Sequence, residues 1–238
     1  PTTVIDVSSA AQLVAIDSTS NHPGEDEGTD EAQSGEAQSG EAADHDHEGH
    51  EHKGHDHEHA DHDHHHDMSM DPHFWLDPAR MANAATLVGD KLAEADPTNA
   101  ETYKANAKAL NEELTSLGDN LAKTSTCQIK TFVTAHTAFG YLADRTGLTQ
   151  VGISGLDPES SPSPARLAEI GKIAKDQGVT TIFTEALIDP KVAQTLADDL
   201  GISTAVLDPI ESQTDSSKDY AAVMNDNIDA LTKANNCQ

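Results

Sequence analysis

Basic residues are scarce in this chain: 14 Lys and Arg stand against 42 Asp and Glu over 238 residues, which gives a formal net charge of −28 at pH 7. This deficit excludes nucleic-acid binding, which needs basic patches, and it favours a surface that attracts cations. No apolar run is long enough to cross a bilayer, so no membrane span is predicted. No hydrolase signature such as HExxH occurs, and Glu159 and Glu185 are candidate bases of a zinc hydrolase only by elimination. We therefore expect a cation-handling protein that is not an enzyme.

Cysteine is also scarce, with only Cys127 and Cys237 in the chain. In a reducing cytosol these two would be free thiols or distant metal ligands, whereas in an exported protein two cysteines with no third are expected to form a disulfide. Cys127 precedes the apolar run 129–134, and Cys237 ends the last predicted helix. A bond between them would fasten the C-terminal helix to the sheet.

Histidine is the residue in excess. Of the 14 histidines, 11 lie in the internal tract 44–67, where they are interleaved with Asp and Glu. Imidazole and carboxylate groups both bind divalent metals, so this tract is predicted to supply many accessory ligands. A purification tag and a merely solvated run of charge are the alternatives, but a tag is usually an unbroken string of histidines at a terminus. The accessory ligands are His45, His47, His50, His52, His55, His57, His59, His62, His64, His65 and His66.

The segment that contains this tract, residues 18–70, lacks hydrophobic periodicity. It cannot bury enough apolar surface to offset its chain entropy, so it is predicted to be a disordered, acidic, metal-binding loop. The run TVIDV at 3–7 is rich in β-formers and favours a strand. Residues 79–95 have apolar residues at helical spacing, and Pro97 is expected to begin a second helix that reaches about residue 123.

Short runs of β-branched residues alternate with helical patterns after Cys127. Such alternation indicates βαβ units around a parallel sheet, so the predicted fold class is α/β. The predicted strands are 129–134, 149–153, 179–184 and 203–207, and the predicted helices are 137–146, 163–177, 189–200 and 217–234.

Two isolated histidines are the candidate site residues outside the tract. Ligands of a parallel sheet bind beyond the carboxyl ends of its strands. His136 lies just past strand 129–134, as Glu185 and Asp208 lie just past two later strands. His73 lies at the other end of the long predicted helix. The pair is therefore predicted to form one joint site.

Three segments, in the order and spacing of a known family, carry a resemblance. They begin DPHFWLDPARMANAATLVGDKLAEADP, TAHTAFGYLADRTGL and IFTEALIDPKVAQTLADDL. Residues 71–234 thereby resemble the zinc-binding solute receptors of metal ABC transporters. The tract of His and Asp just before DPHFWLDP is typical of the zinc members. In DPHFWLDP itself, Phe74 and Trp75 are expected to have a packing role.

The resemblance implies a Zn²⁺ ion in a cleft between two parallel-sheet lobes that a long rigid helix joins. His73 and His136 are the implied ligands, and Asp215 or Asp219 is the candidate for a fourth. Manganese members supply a glutamate where this chain has Gly155 and its neighbours, and this difference favours zinc.

The resemblance also implies a domain organisation: a remnant of the N-terminal lobe at 1–17, the end of that lobe at 71–96, the linking helix at 97–123 and the C-terminal lobe at 124–238. Family members carry a further stretch before TVIDV that holds the export signal and the first histidine ligand. Because this chain starts at Pro1 and has no recognisable signal peptide, we expect its N-terminal lobe to be incomplete and its site to lack one histidine.

The implied function is capture of Zn²⁺ by a monomeric receptor in the periplasm or at the cell surface, with or without a lipid anchor, followed by delivery to an ABC permease. A different class, a metal buffer or chaperone that acts through the His-rich tract alone, is the alternative. It leaves the α/β part of the chain unexplained. A zinc metallohydrolase is the third and least favoured hypothesis.

Overall fold

The computed structural model describes residues 4–15 and 70–238. The helices are α1 (Ser8–Ala11), α2 (Pro78–Ala95), α3 (Ala100–Leu121), α4 (Gly140–Thr146), α5 (Pro164–Asp176), α6 (Lys191–Leu200) and α7 (Tyr220–Ala234). The strands are β1 (Thr131–Thr134), β2 (Thr149–Gly152), β3 (Thr181–Thr184) and β4 (Ser203–Val206), and 3-10 turns span Phe74–Leu76, Pro97–Asn99 and Ala122–Thr126. Among the described residues, every helix is too short or too polar to span a membrane.

The four strands form one parallel sheet in the order β2-β1-β3-β4. The predicted α/β class is therefore confirmed, and each predicted strand contains the observed one. The connection from β1 leads to β2 on one side, and the chain then crosses back to place β3 on the other side of β1. The strand order thus reverses between β1 and β3, which is where parallel sheets bind their ligands.

Side chains on the strands alternate between two apolar layers. Phe132 and Phe183 pack in one cluster, which includes residues from α3, α4 and α7. Val133 and Ile182, their neighbours in sequence, pack in the other cluster with residues of α5 and α6. Helices therefore cover both faces of the sheet, as is usual when all strands are parallel.

Helices α2 and α3 form a close pair beside the sheet. A Cβ added to Gly89 would lie 2.5 Å from the Cβ of Ala107, so only glycine allows the two helices to approach this closely. The predicted single helix from residue 97 is partly corrected: Pro97 begins a separate 3-10 turn, and α3 starts at Ala100. Leu114, Leu117 and Leu121 in α3 are buried, but Leu110 is exposed.

The predicted strand TVIDV is wrong where the structure describes it. Residues 4–7 have no regular structure, and Val4 is exposed. β-Branched residues favour a strand only when a neighbouring strand pairs with them. The chain instead forms α1 and then an antiparallel bridge between Ala15 and Met70. Residues 16–69, and with them the predicted loop and all the accessory histidines, lie outside the described residues.

The C-terminal end of α7 is fastened to the start of β1. A disulfide joins Cys127 to Cys237. Beside it, the side-chain amide of Asn235 donates hydrogen bonds to the carbonyls of Ile129 and Thr131, at 2.9 and 3.3 Å. These contacts fix the C-terminal helix against the sheet at the edge opposite to the carboxyl ends of the strands.

Candidate metal centre

His73 is held by the acidic residue two positions before it. The Asp71 Oδ1 atom accepts hydrogen bonds from both the backbone N–H of His73, at 2.9 Å, and its ring Nδ1, at 2.7 Å. The Tyr141 hydroxyl donates to the carbonyl of Asp71 at 2.7 Å, which fixes the aspartate in turn. The His73 ring is only 3% exposed, and it directly precedes the turn Phe74–Leu76.

His136 is held in the same way by a residue that directly follows a different strand. The Glu185 Oε1 atom accepts from the backbone N–H of His136 at 3.2 Å and from its Nδ1 at 2.7 Å. The carbonyl of His136 accepts from the Thr134 hydroxyl at 2.7 Å and from the Gln150 amide at 3.1 Å. His136 is fully buried. Because it follows β1 and Glu185 follows β3, both lie where the strand order reverses.

The contacts of the two Nδ1 atoms with carboxylates determine which ring nitrogen of each histidine can bind a metal. A carboxylate can only accept, so each Nδ1 carries a proton, and each Nε2 is left as the nitrogen that can bind a metal once any proton it shares with Glu211 is displaced. The Nε2 atoms of His73 and His136 lie 3.0 and 3.5 Å from the same Glu211 Oε1 atom. Ligand atoms of the three residues all lie within 4.8 Å of one another.

The distances from each Nε2 atom to the Glu211 oxygen fit a tetrahedral metal. Zinc bonds of about 2.0–2.1 Å at tetrahedral angles place neighbouring ligand atoms about 3.3 Å apart. The observed separations of 3.0 and 3.5 Å bracket that value. His136 Nε2 is also buried without a hydrogen-bond partner among the described residues. Because an unpartnered buried nitrogen is costly, its orientation toward the cluster indicates a ligand position.

The charge around His73 favours a cation. Burial opposes its protonated form, but the hydrogen bonds and charges of Asp71 and Glu211 outweigh burial and raise the pKa of His73 above its ordinary value of 6.5. The same charges that favour a proton also favour a metal ion, which must displace that proton from Nε2.

Glu211 is the solvent-exposed member of the cluster. Its side chain is 40% exposed, whereas those of the two histidines are 4% and 0% exposed. It lines a cavity of about 500 Å³ at the carboxyl edge of the sheet. The charged residues that line this cavity are all acidic: Glu159, Glu185, Asp189, Asp208 and Glu211.

The structure places neither Asp215 nor Asp219 in the cluster. Asp219 caps α7, where its carboxylate accepts from the backbone N–H of Ala222 at 2.8 Å. Asp215 accepts from the hydroxyl of Ser217 at 2.6 Å, and both residues are exposed. The carboxylate near the histidines belongs to Glu211, in the connection from β4 to α7. The rule that ligands follow the ends of parallel strands could have found it, because Asp208, three residues earlier, already satisfies that rule.

Comparison with known proteins finds similarity to zinc-binding and zinc-uptake proteins. A family model described as the periplasmic component A of a zinc-uptake complex matches residues 1–234. The zinc-binding protein AdcA of Streptococcus pyogenes is 40% identical over 171 residues, and the high-affinity zinc uptake system protein ZnuA of Bacillus subtilis is 39% identical over 169 residues. The structure resembles that of a Zn(II)-bound AdcAII variant of Streptococcus pneumoniae, with a TM-score of 0.65 and 40% identity.

The match covers most of this chain but only part of each relative. It spans 70% of this chain and 33% of AdcA, and 68% of this chain and 53% of ZnuA. For the AdcAII structure, the shares are 71% of this chain and 62% of the other. The chain thus spans about a third to about half the length of these two curated relatives.

Proposed function

This chain belongs to the family of periplasmic zinc-uptake components, and from that premise we propose that it captures Zn²⁺ outside the cytoplasm and delivers it to an ABC permease. The zinc is the cargo of the protein. His73, His136 and Glu211 hold it, and the two histidines supply neutral nitrogen ligands of the type that zinc prefers.

One observation supports this proposal above the others: two buried histidines direct their Nε2 atoms at the same carboxylate oxygen. Each ring is already fixed by a carboxylate on its other nitrogen, so little side-chain entropy is lost when a metal binds. A site prepared in this way binds tightly without needing many ligands. A fourth position is open to water or to a further side chain, as zinc requires.

Titration calorimetry of the 238-residue chain tests the proposal. We expect one tight Zn²⁺ site that competing Mn²⁺ does not displace, because imidazole-rich ligation favours zinc over manganese. An affinity for Mn²⁺ equal to or higher than that for Zn²⁺ would contradict the zinc assignment. Loss of the tight site in His73→Ala, with an unchanged circular dichroism spectrum, would place it at this cluster.

Deletion of residues 44–67 separates this function from the alternative of a metal buffer. A receptor keeps its tight site after the deletion and loses only weak accessory sites, because ligands on an unfolded chain must be ordered at every binding event. A buffer that acts through the tract loses all its binding. Growth with the deleted form should suffer only when zinc is limiting.

The division into lobes is part of the same proposal. Residues 71–96 end an N-terminal lobe, α3 is the linking helix and residues 124–238 form the C-terminal lobe, so zinc lies where residues of both lobes meet. We propose a monomer in the periplasm or at the cell surface. The family is described by zinc uptake rather than by catalysis, and Glu185, one of the two carboxylates considered as a general base, already accepts two hydrogen bonds from His136.

A further inference from the structure

Trp75 joins the two segments of chain that supply ligands. It lies two residues after His73, and the two ring centroids are 5.3 Å apart. Its indole N–H donates a hydrogen bond of 2.9 Å to the carbonyl of Pro209, two residues before Glu211. Its own carbonyl accepts from the hydroxyl of Tyr220, the first residue of α7. Trp75 therefore contacts the connection between β4 and α7 near both of its ends.

Hydrogen bonds fix the start of that connection, at residues 208–210. The Asn227 side chain donates to the carbonyl of Asp208 at 2.7 Å and accepts from its backbone N–H at 2.8 Å. The Asp208 carboxylate accepts from the backbone N–H of Ile210 at 2.8 Å. Residues 211–219, in contrast, are exposed. Glu211 is thus the first exposed residue after the part of the connection that hydrogen bonds fix.

The residue before Glu211 has an unfavourable backbone conformation. Ile210 has a φ of 57°, in the left-handed region, which a β-branched side chain rarely adopts. Such a conformation persists only where surrounding contacts impose it. The contacts nearest to it lie on its N-terminal side: the Asp208 carboxylate accepts from the Ile210 N–H, and Trp75 donates to the Pro209 carbonyl. They turn the chain so that the Glu211 carboxylate reaches the histidines instead of following Ser212 into solvent.

We propose that Trp75 is the positioning residue for Glu211. Its indole N–H fixes the distance between the segment that carries His73 and the loop that carries Glu211, so the third ligand is already in place before zinc arrives. This inference rests on the proposed function, and it assigns a role beyond packing to a side chain that is also partly buried against the core.

A double-mutant cycle tests the proposal. Trp75→Phe keeps an aromatic ring and removes the N–H, and zinc affinity is measured by competition with a chromophoric chelator. We expect affinity to fall about 3- to 10-fold, as for the loss of one hydrogen bond, mainly through faster dissociation. In a Glu211→Gln background, the same substitution should change affinity less than about twofold, because the two residues act through one contact.

The control is Tyr103→Phe, which removes one hydrogen bond from an aromatic side chain to Asp96 near the turn between α2 and α3. It should leave zinc affinity unchanged. If Trp75→Phe has no effect, or if its full effect persists in the Glu211→Gln background, Trp75 does not act through Glu211 and the inference is overturned. If the unsubstituted chain has no tight zinc site, the proposed function fails first, and the two failures are distinguishable.

A measurement without zinc gives an independent result. The chain has a single tryptophan, so the metal-free protein has a single indole N–H resonance in a nitrogen–proton NMR spectrum. Hydrogen bonding to Pro209 should slow exchange of that proton with water, and Tyr220→Phe should partly restore exchange. An indole proton that exchanges as fast as that of free tryptophan would overturn the inference.

Discussion

The two histidines and the glutamate of the cluster are held in opposite ways. His73 and His136 are buried, and each has its backbone N–H and ring Nδ1 bonded to one carboxylate oxygen. Glu211 is 40% exposed, and no bond to its side chain other than those to the two histidines is recorded among the described residues. The positions of the two imidazoles are thus set by folding, whereas the position of the Glu211 carboxylate is set by the loop that carries it.

This difference indicates a division of roles within the site. In the proposed site, the fixed imidazoles would select the metal through their chemistry and geometry. The exposed carboxylate neutralises charge and borders the acidic cavity through which a cation can approach. Zinc should therefore enter and leave on the Glu211 side, since the histidine side is closed by protein.

Removal of a histidine should have the largest effect. His136→Ala takes away a buried ligand that nothing nearby can replace, and it should lower zinc affinity by more than the roughly 10- to 100-fold typical of supporting residues. The fold should persist, as circular dichroism can check. Asp215→Asn is the matched control, and it should bind zinc normally. Tight binding by His136→Ala would refute the assignment of this ligand.

Removal of a supporting carboxylate should have the next largest effect. Glu185→Gln keeps the size of the side chain but no longer forces the proton onto His136 Nδ1, so affinity should fall roughly 10- to 100-fold. Asp71→Asn should act in the same way on His73. Isothermal titration of both variants checks this. A loss below twofold in both would show that the histidines are not oriented by these contacts.

Acidification should weaken binding by about tenfold per pH unit below the raised pKa of His73, where zinc must displace one proton. The metal-free protein should behave oppositely. The pKa of His73 is raised in the folded state, so protonation of His73 stabilises the fold at low pH. This contribution is lost as pH rises through that pKa. The zinc affinity and the thermal unfolding temperature of the metal-free chain should therefore change in opposite directions as pH falls from above the raised pKa of His73 to 6.5.

The disulfide should have the smallest effect on zinc. Replacing Cys127 and Cys237 with serine opens a loop with a sequence separation of 110, which should cost about 5 kcal/mol of stability on the loop-entropy model. Zinc affinity should stay within about twofold, because the bond lies at the opposite edge of the sheet from the cluster. Chemical denaturation and calorimetry check the two quantities separately. A large loss of affinity would show that the site depends on how α7 is anchored.

Regular patterns predicted the fold well. Alternating helices and β-branched runs locate the parallel sheet, and its carboxyl edge locates His136. The resemblance adds His73. The supporting contacts were not predicted, because Glu185 meets His136 only through the pairing of β1 with β3, which no local pattern encodes.

The carboxylate of the cluster, Glu211, was not predicted from the sequence. The resemblance directs attention to Asp215 and Asp219, just before α7, but the carboxylate comes from the start of the same connection. Its direction depends on the left-handed backbone at Ile210, which isoleucine does not predict. A conformation imposed by tertiary contacts is invisible to reasoning from propensity.

The position of the only tryptophan has a practical consequence. The Trp75 ring lies 5.3 Å from that of His73 at an angle of 59°, and indole emission responds to the charge state of an adjacent imidazole. Replacement of a proton by zinc on His73 should therefore change the fluorescence of the unlabelled chain. The histidine-rich tract contains no tryptophan, so this emission should report filling of the cluster separately from metal held by the tract.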